Sequence, residues 1–80
     1  MTKEEILNDL KEIIADKLGS DITKVNMETT LTEDLQADSL DKVEMIMDAE
    51  TKFNIEIDDD ASMGFVTVGD VVNYIAEKIN

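Results

Sequence analysis

Two of the side chains that most often do chemistry are missing from this 80-residue chain, which has no cysteine and no histidine. Without an imidazole there is no Ser-His-Asp arrangement and no ordinary general base. Without a thiol there is no disulfide, no thiolate metal site and no sulfur nucleophile. That argues against self-contained catalysis and leaves hydroxyls and carboxylates. The carboxylates are concentrated between Glu33 and Asp60, where eleven acids face only Lys42 and Lys52, a net −9. A charge run is ordinarily a solvated face. Here, however, like charges fall at helical neighbour spacing, Asp41 with Glu44 and Glu44 with Asp48, each pair costing a few tenths of a kcal/mol. Stability alone would have mixed in lysines.

Within this run stands Asp38-Ser39-Leu40-Asp41. A lone serine in such a tripeptide is ordinarily just a helix-start residue. The chemical alternative is specific: at the first helical position its hydroxyl projects beside backbone N–H groups that lack intrahelical partners. The positive end of the helix dipole would favour a phosphate there by about 0.3–1 kcal/mol. Asp38 and Asp41 oppose that phosphate, so its transfer would need a metal or a basic enzyme. Other motifs fail. Glu56, Asp58 and Asp60 imitate the start of a calcium loop, but Ala61 and Thr67 stand where glycine and glutamate belong. Gly19, Gly64 and Gly69 are too scattered to cradle a phosphate.

The elements that must hold Ser39 follow from hydrophobic spacing. Thr2 and Glu5 read as a capping box, and Ile6, Leu7, Leu10, Ile13, Ile14 and Leu18 lead to Gly19, which predicts a helix over about 3–18. Residues 19–37 lack a period, although Ile22, Val25, Met27, Leu31 and Leu35 recur often enough to pin a long connection to a core. A loop of that length is either functional or contains a short turn of its own. A second helix is predicted from near Ser39 to about Lys52, with Asp38 as N-cap and Leu40, Val43, Ile46, Met47 and Phe53 along one apolar face. Asp58, Asp59 and Asp60 open a brief helical turn that Gly64 closes. Thr67 then caps a last helix carrying Val68, Val71, Val72, Ile75 and Ile79, with Asp70 as reciprocal acid. The fold class expected is all-α: a four-helix bundle of three long helices and one short, with a long loop between helices one and two. One domain over 1–80 is expected.

The whole chain carries seven lysines, no arginine and twenty acids, a net charge of −13, with 42% hydrophobic residues. That is an acidic chain with enough apolar material for a core. Nucleic acid and anionic membranes should repel it, and basic partners are expected. The opening Thr2-Lys3-Glu4-Glu5 has no apolar segment behind it, and no run approaches the ~18 apolar residues of a spanning helix. A cytoplasmic monomer is the expectation.

The sequence resembles the acyl carrier proteins, most closely the bacterial type II proteins of fatty acid synthesis, from helix one through Ile79. The likeness is carried by Glu33-Asp34-Leu35, Ala37-Asp38-Ser39-Leu40-Asp41 and Val43-Glu44. It continues through Phe53, Ile55-Glu56-Ile57, Thr67-Val68 and Tyr74-Ile75. The tripeptide alone would be weak; the extended match is specific. The resemblance implies that Ser39 carries 4′-phosphopantetheine, installed from coenzyme A by a separate magnesium-dependent transferase, and that this arm supplies the missing thiol and holds acyl chains as thioesters. It implies docking through helix two on basic surfaces of fatty acid synthesis enzymes and of the transferase, with Asp38, Asp41, Glu44 and Asp48 as charged contacts and Leu40 and Met47 as apolar neighbours. No resident metal and no catalytic residue are implied.

Met45, Met47 and Met63 read as ordinary core or rim residues. The alternative is that Met45 and Met63, beside Ala49, line an adaptable acyl cavity, where each buried methylene would contribute about 0.8 kcal/mol. Three positions depart from the family pattern. Gln36 stands where glycine is usual and would cost on the order of 1 kcal/mol if the site needs positive φ. Asp58 replaces a common proline. Asp48-Ala49 replaces a frequent Ala-Leu. These bear on stability and chain-length preference rather than on carriage. The alternatives to a fatty acid carrier are a specialised carrier for polyketide or aminoacyl cargo and an acidic interaction protein that is never modified.

Overall fold

The computed structural model describes residues 1–19 and 21–79. Four α-helices follow in order, α1 Lys3–Leu18, α2 Ser39–Phe53, α3 Asp59–Met63 and α4 Val68–Ile79, with a 3-10 turn at Ile22–Lys24. The described residues form no strand, only an isolated antiparallel bridge between Thr30 and Thr67. The expected all-α architecture is the one observed, three long helices and one short.

The caps are those the sequence announces. Thr2 and Glu5 exchange hydrogen bonds at the start of α1, and Gly19 ends it in the left-handed conformation at φ 65°. Thr67 and Asp70 do the same for α4: the Asp70 amide donates to Thr67 Oγ1 at 3.1 Å and Asp70 Oδ2 accepts from the Val66 and Thr67 amides at 2.9 and 3.1 Å. Each cap satisfies donors that a helix start leaves without partners.

α1 packs against both α2 and α4. It buries Ile6, Leu10, Ile13 and Ile14, while α4 buries Val68, Val71, Val72, Ile75 and Ala76. The apolar face expected for α2 is corrected here. Its buried residues are Met45 and Ala49, with Ile46 and Phe53 packed against the core, whereas Leu40, Val43 and Met47 are 65%, 54% and 59% exposed. Apolar residues cover more than half of this helix's circumference, so spacing alone admits two overlapping stripes. Packing against α1 selects one.

The segment between α1 and α2 takes the second of the two forms its length allowed, a loop with a short turn of its own. It contains the 3-10 turn and is sewn to the rest by Val25, Leu31, Leu35 and Ala37, all buried. Its backbone is tied to the start of α4: the Leu31 amide donates to the Val66 carbonyl at 2.9 Å, Val68 to Thr29 at 2.9 Å and Gly69 to Met27 at 2.8 Å. A Cβ at Gly69 would lie 2.6 Å from the Met27 oxygen, so this approach of loop to helix requires glycine. α3 differs in kind: it buries no residue, and its N-cap Asp58 makes no side-chain capping bond.

Candidate functional site

Ser39 is the first residue of α2, and the loop before it fixes where it stands. Leu35 and Ala37 are buried on either side of exposed Gln36, whose φ of 56° turns the chain. The Leu35 amide donates to the Thr30 carbonyl at 3.2 Å and the Ala37 amide to Leu31 at 3.0 Å. Asp38 then caps the helix. Its Oδ1 accepts from the Asp41 amide at 2.8 Å, and its own amide donates to Asp41 Oδ2 at 3.3 Å. Both carboxylates that flank the serine are thereby engaged in starting the helix. The amides of Ser39 and Leu40 are left without a partner among the described residues.

The Ser39 side chain is exposed, and among the described residues its hydroxyl has no hydrogen-bond partner. It opens onto a groove of about 240 Å³ lined by Ser39, Lys42, Val43, Ile46, Ser62 and Met63. Ser62, the other hydroxyl there, already donates to the Asp59 carbonyl at 3.0 Å. Behind the groove is an apolar crevice between α1, α2 and α4 with only about 10 Å³ of free space, at the lower limit for one water. A free hydroxyl beside unpaired amides and an open groove is what a phosphate-linked arm requires, so the residues fit that group. Among the described residues, no three acids are gathered closely enough to hold a metal ion.

The remaining candidates separate. Leu40, Val43, Glu44 and Met47 share the exposed face of α2, Val43 joining a patch that sequence spacing had assigned to the core. Asp48 is turned toward α1, where its Oδ2 meets Lys17 Nζ at 3.4 Å. The three residues expected around an acyl cavity are not brought together: Met45 lines the crevice, Met63 lies 80% exposed on the groove, and Ala49 is fully buried outside either lining.

The family described as phosphopantetheine attachment site matches residues 8–75. The acyl carrier protein of Exiguobacterium sp. strain AT1b is 49% identical over 79 residues, covering 99% of this chain and 100% of its own. The chain belongs to the acyl carrier protein family. Among other acyl carrier proteins, that of Clostridium perfringens is 56% identical over 68 residues, 85% of this chain and 90% of its own. A solved structure of the thermally stable acyl carrier protein from Enterococcus faecalis superposes with a TM-score of 0.82 at 32% identity, covering 98% of this chain and 99% of the other. The prosthetic group of this carrier family is phosphopantetheine.

Two residues of this acyl carrier protein escaped sequence reasoning. Glu50 Oε2 accepts from the Ile57 amide at 2.9 Å and so shapes the approach to α3. Lys42 Nζ donates to the Phe65 carbonyl at 3.4 Å. The available signal for Lys42 was its position as the lone cation in the first three turns of an acidic helix.

Proposed function

We propose that Ser39 is the attachment site of 4′-phosphopantetheine and that residues 1–80 act as one carrier domain in fatty acid synthesis, without catalysis of their own. The observation that carries this is the free, exposed Ser39 hydroxyl at the start of α2, on a loop anchored by Leu35 and Ala37. When bound, the arm supplies the thiol that holds the acyl group. The chain contributes the attacking oxygen and a recognition surface. A separate transferase contributes the base and the metal, consistent with the lack of histidine here.

Docking in this proposal uses the outward face of α2. Glu44 and the rim carboxylates Asp38 and Asp41 steer basic surfaces of the transferase and the synthesis enzymes, and Leu40, Val43 and Met47 supply the desolvated contact. Asp48, paired with Lys17, is a lesser contact. Of the expected cavity residues, Met45 is the one positioned to meet an acyl chain inside the crevice, and Met63 meets the arm in the groove. A cytoplasmic monomer that binds neither nucleic acid nor membrane completes the proposal. The net charge of −13 favours it, because it repels nucleic acid and anionic membrane surfaces.

Intact-mass measurement after incubation with coenzyme A and a phosphopantetheinyl transferase tests the proposal. The wild type should gain one phosphopantetheine and Ser39→Ala none. An unmodified wild type would favour the acidic interaction protein instead.

A further inference from the structure

The crevice behind the groove is lined by apolar side chains, Met45, Ile46, Phe65 and Val68 among them, and by a single charged residue, Lys42. Lys42 and Ile46 also line the groove that begins at Ser39, so the two spaces meet at these residues. The Lys42 ammonium is held at that meeting point by the Phe65 carbonyl, which ties α2 to the link between α3 and α4. With about 10 Å³ free, the crevice cannot admit a run of methylenes unless α2 and the Phe65 segment separate. Separation breaks that hydrogen bond. The side able to give is that of α3, which has no fully buried residue, only Ala61 partly buried against the core, and starts without a side-chain cap.

We infer that Lys42 sets whether an acyl chain is held inside the protein or left outside it. In the empty form its methylene stem lies over apolar lining while its ammonium bars the mouth. For a chain to pass, the ammonium must release the Phe65 oxygen and turn out to water, which its half-buried position and long stem permit. An unbranched apolar side chain of similar length has no such bond to release and adds apolar lining, so it shifts the balance toward the sheltered chain. Arginine keeps both charge and donor. The inference rests on the proposed arm at Ser39 and on a chain that shelters in this crevice.

The test uses the full-length protein loaded with an acetyl or an octanoyl thioester, cleaved by hydroxylamine. The ratio of acetyl to octanoyl cleavage rates measures sheltering, because the acetyl group is too short to reach the crevice and corrects for any direct effect of position 42 on the attack. The wild-type ratio should exceed one. It should rise about three- to tenfold in Lys42→Met, the size expected for losing one hydrogen bond of the empty form, and stay within about twofold in Lys42→Arg. Circular dichroism checks folding, and Lys42→Leu, apolar and without a donor, should move in the same direction as Lys42→Met if the latter does not fold. A wild-type ratio above one that Lys42→Met leaves unchanged or lowers would overturn the role of Lys42 alone. Equal rises in Lys42→Met and Lys42→Arg would overturn it too. A wild-type ratio of one would remove the sheltered chain, and the gate with it.

Discussion

At the scale of single residues, the proposed site depends on a conformation that its own sequence resists. Gln36 takes φ 56°, where a Cβ crowds the following carbonyl, yet buried Leu35 and Ala37 on either side hold it there. Gln36→Gly should therefore raise stability by about 1 kcal/mol in urea titration, less the entropy glycine loses on folding. A destabilised variant would show that the glutamine side chain contributes more than its backbone loses. Asn54 ends α2 at φ 55°, but asparagine tolerates the left-handed region, and no comparable gain is expected there. Ser39 itself contributes nothing to packing, so Ser39→Ala should stay within about 0.5 kcal/mol of wild type in the same titration. The chemical part of the site was legible in the sequence because a helix-start serine between two acids is a local pattern. Lys42 was not, because its partner Phe65 is 23 positions away.

At the scale of elements, α1 and α4 could be read from the sequence in both extent and facing, since each has one apolar stripe between clear caps. α2 could be read only in extent. Its outward Leu40, Val43 and Met47 stripe and its inward Met45 and Ala49 stripe are both helical in period, and the choice is made by contact with α1. Val43→Thr should thus change stability by less than about 0.5 kcal/mol, whereas Met45→Ala should cost about 2–5 kcal/mol. A large loss from Val43→Thr would mean the helix is rotated from the facing described. The start of α4 carries a pH dependence. Hydrogen bonds from the Val66 and Thr67 amides, joined by that of the Thr67 side chain, hold the Asp70 carboxyl below its ordinary value of 3.8. Glu5 is held low by the Thr2 backbone and side chain. A carboxylate lowered in the folded state adds stability above its unfolded pKa, and that stability disappears as pH falls through the folded value. Stability should accordingly drop as pH falls below about 4, and Asp70→Asn should flatten part of that drop in melts followed between pH 6 and pH 2.

At the scale of the whole molecule, twenty acids share a body of 28 × 24 × 19 Å with seven lysines. Two ion pairs, Lys17 with Asp48 and Lys52 with Glu12, join α1 to α2 at 3.4 and 3.5 Å. Both are solvated and worth little individually. The net repulsion is long in range: raising NaCl from 0.1 to 1 M shortens the screening length from about 10 to about 3 Å. The melting temperature should rise by about 4–8 °C for each kcal/mol so recovered, and an unchanged value would mean that repulsion does not limit stability. In the proposed function the same charge steers the chain toward partners with basic surfaces. The general architecture could be read from composition and helical spacing. The way the long loop binds α4 could not, because it depends on Gly69 meeting the Met27 backbone, a contact no local pattern announces. That loop brings the start of α2 to the surface and leaves one hydroxyl there unengaged. Fragmentation mass spectrometry of the chain after reaction with coenzyme A and a transferase examines this most directly. The whole added mass should fall on Ser39, and its appearance on Ser62 or any other hydroxyl would contradict the account.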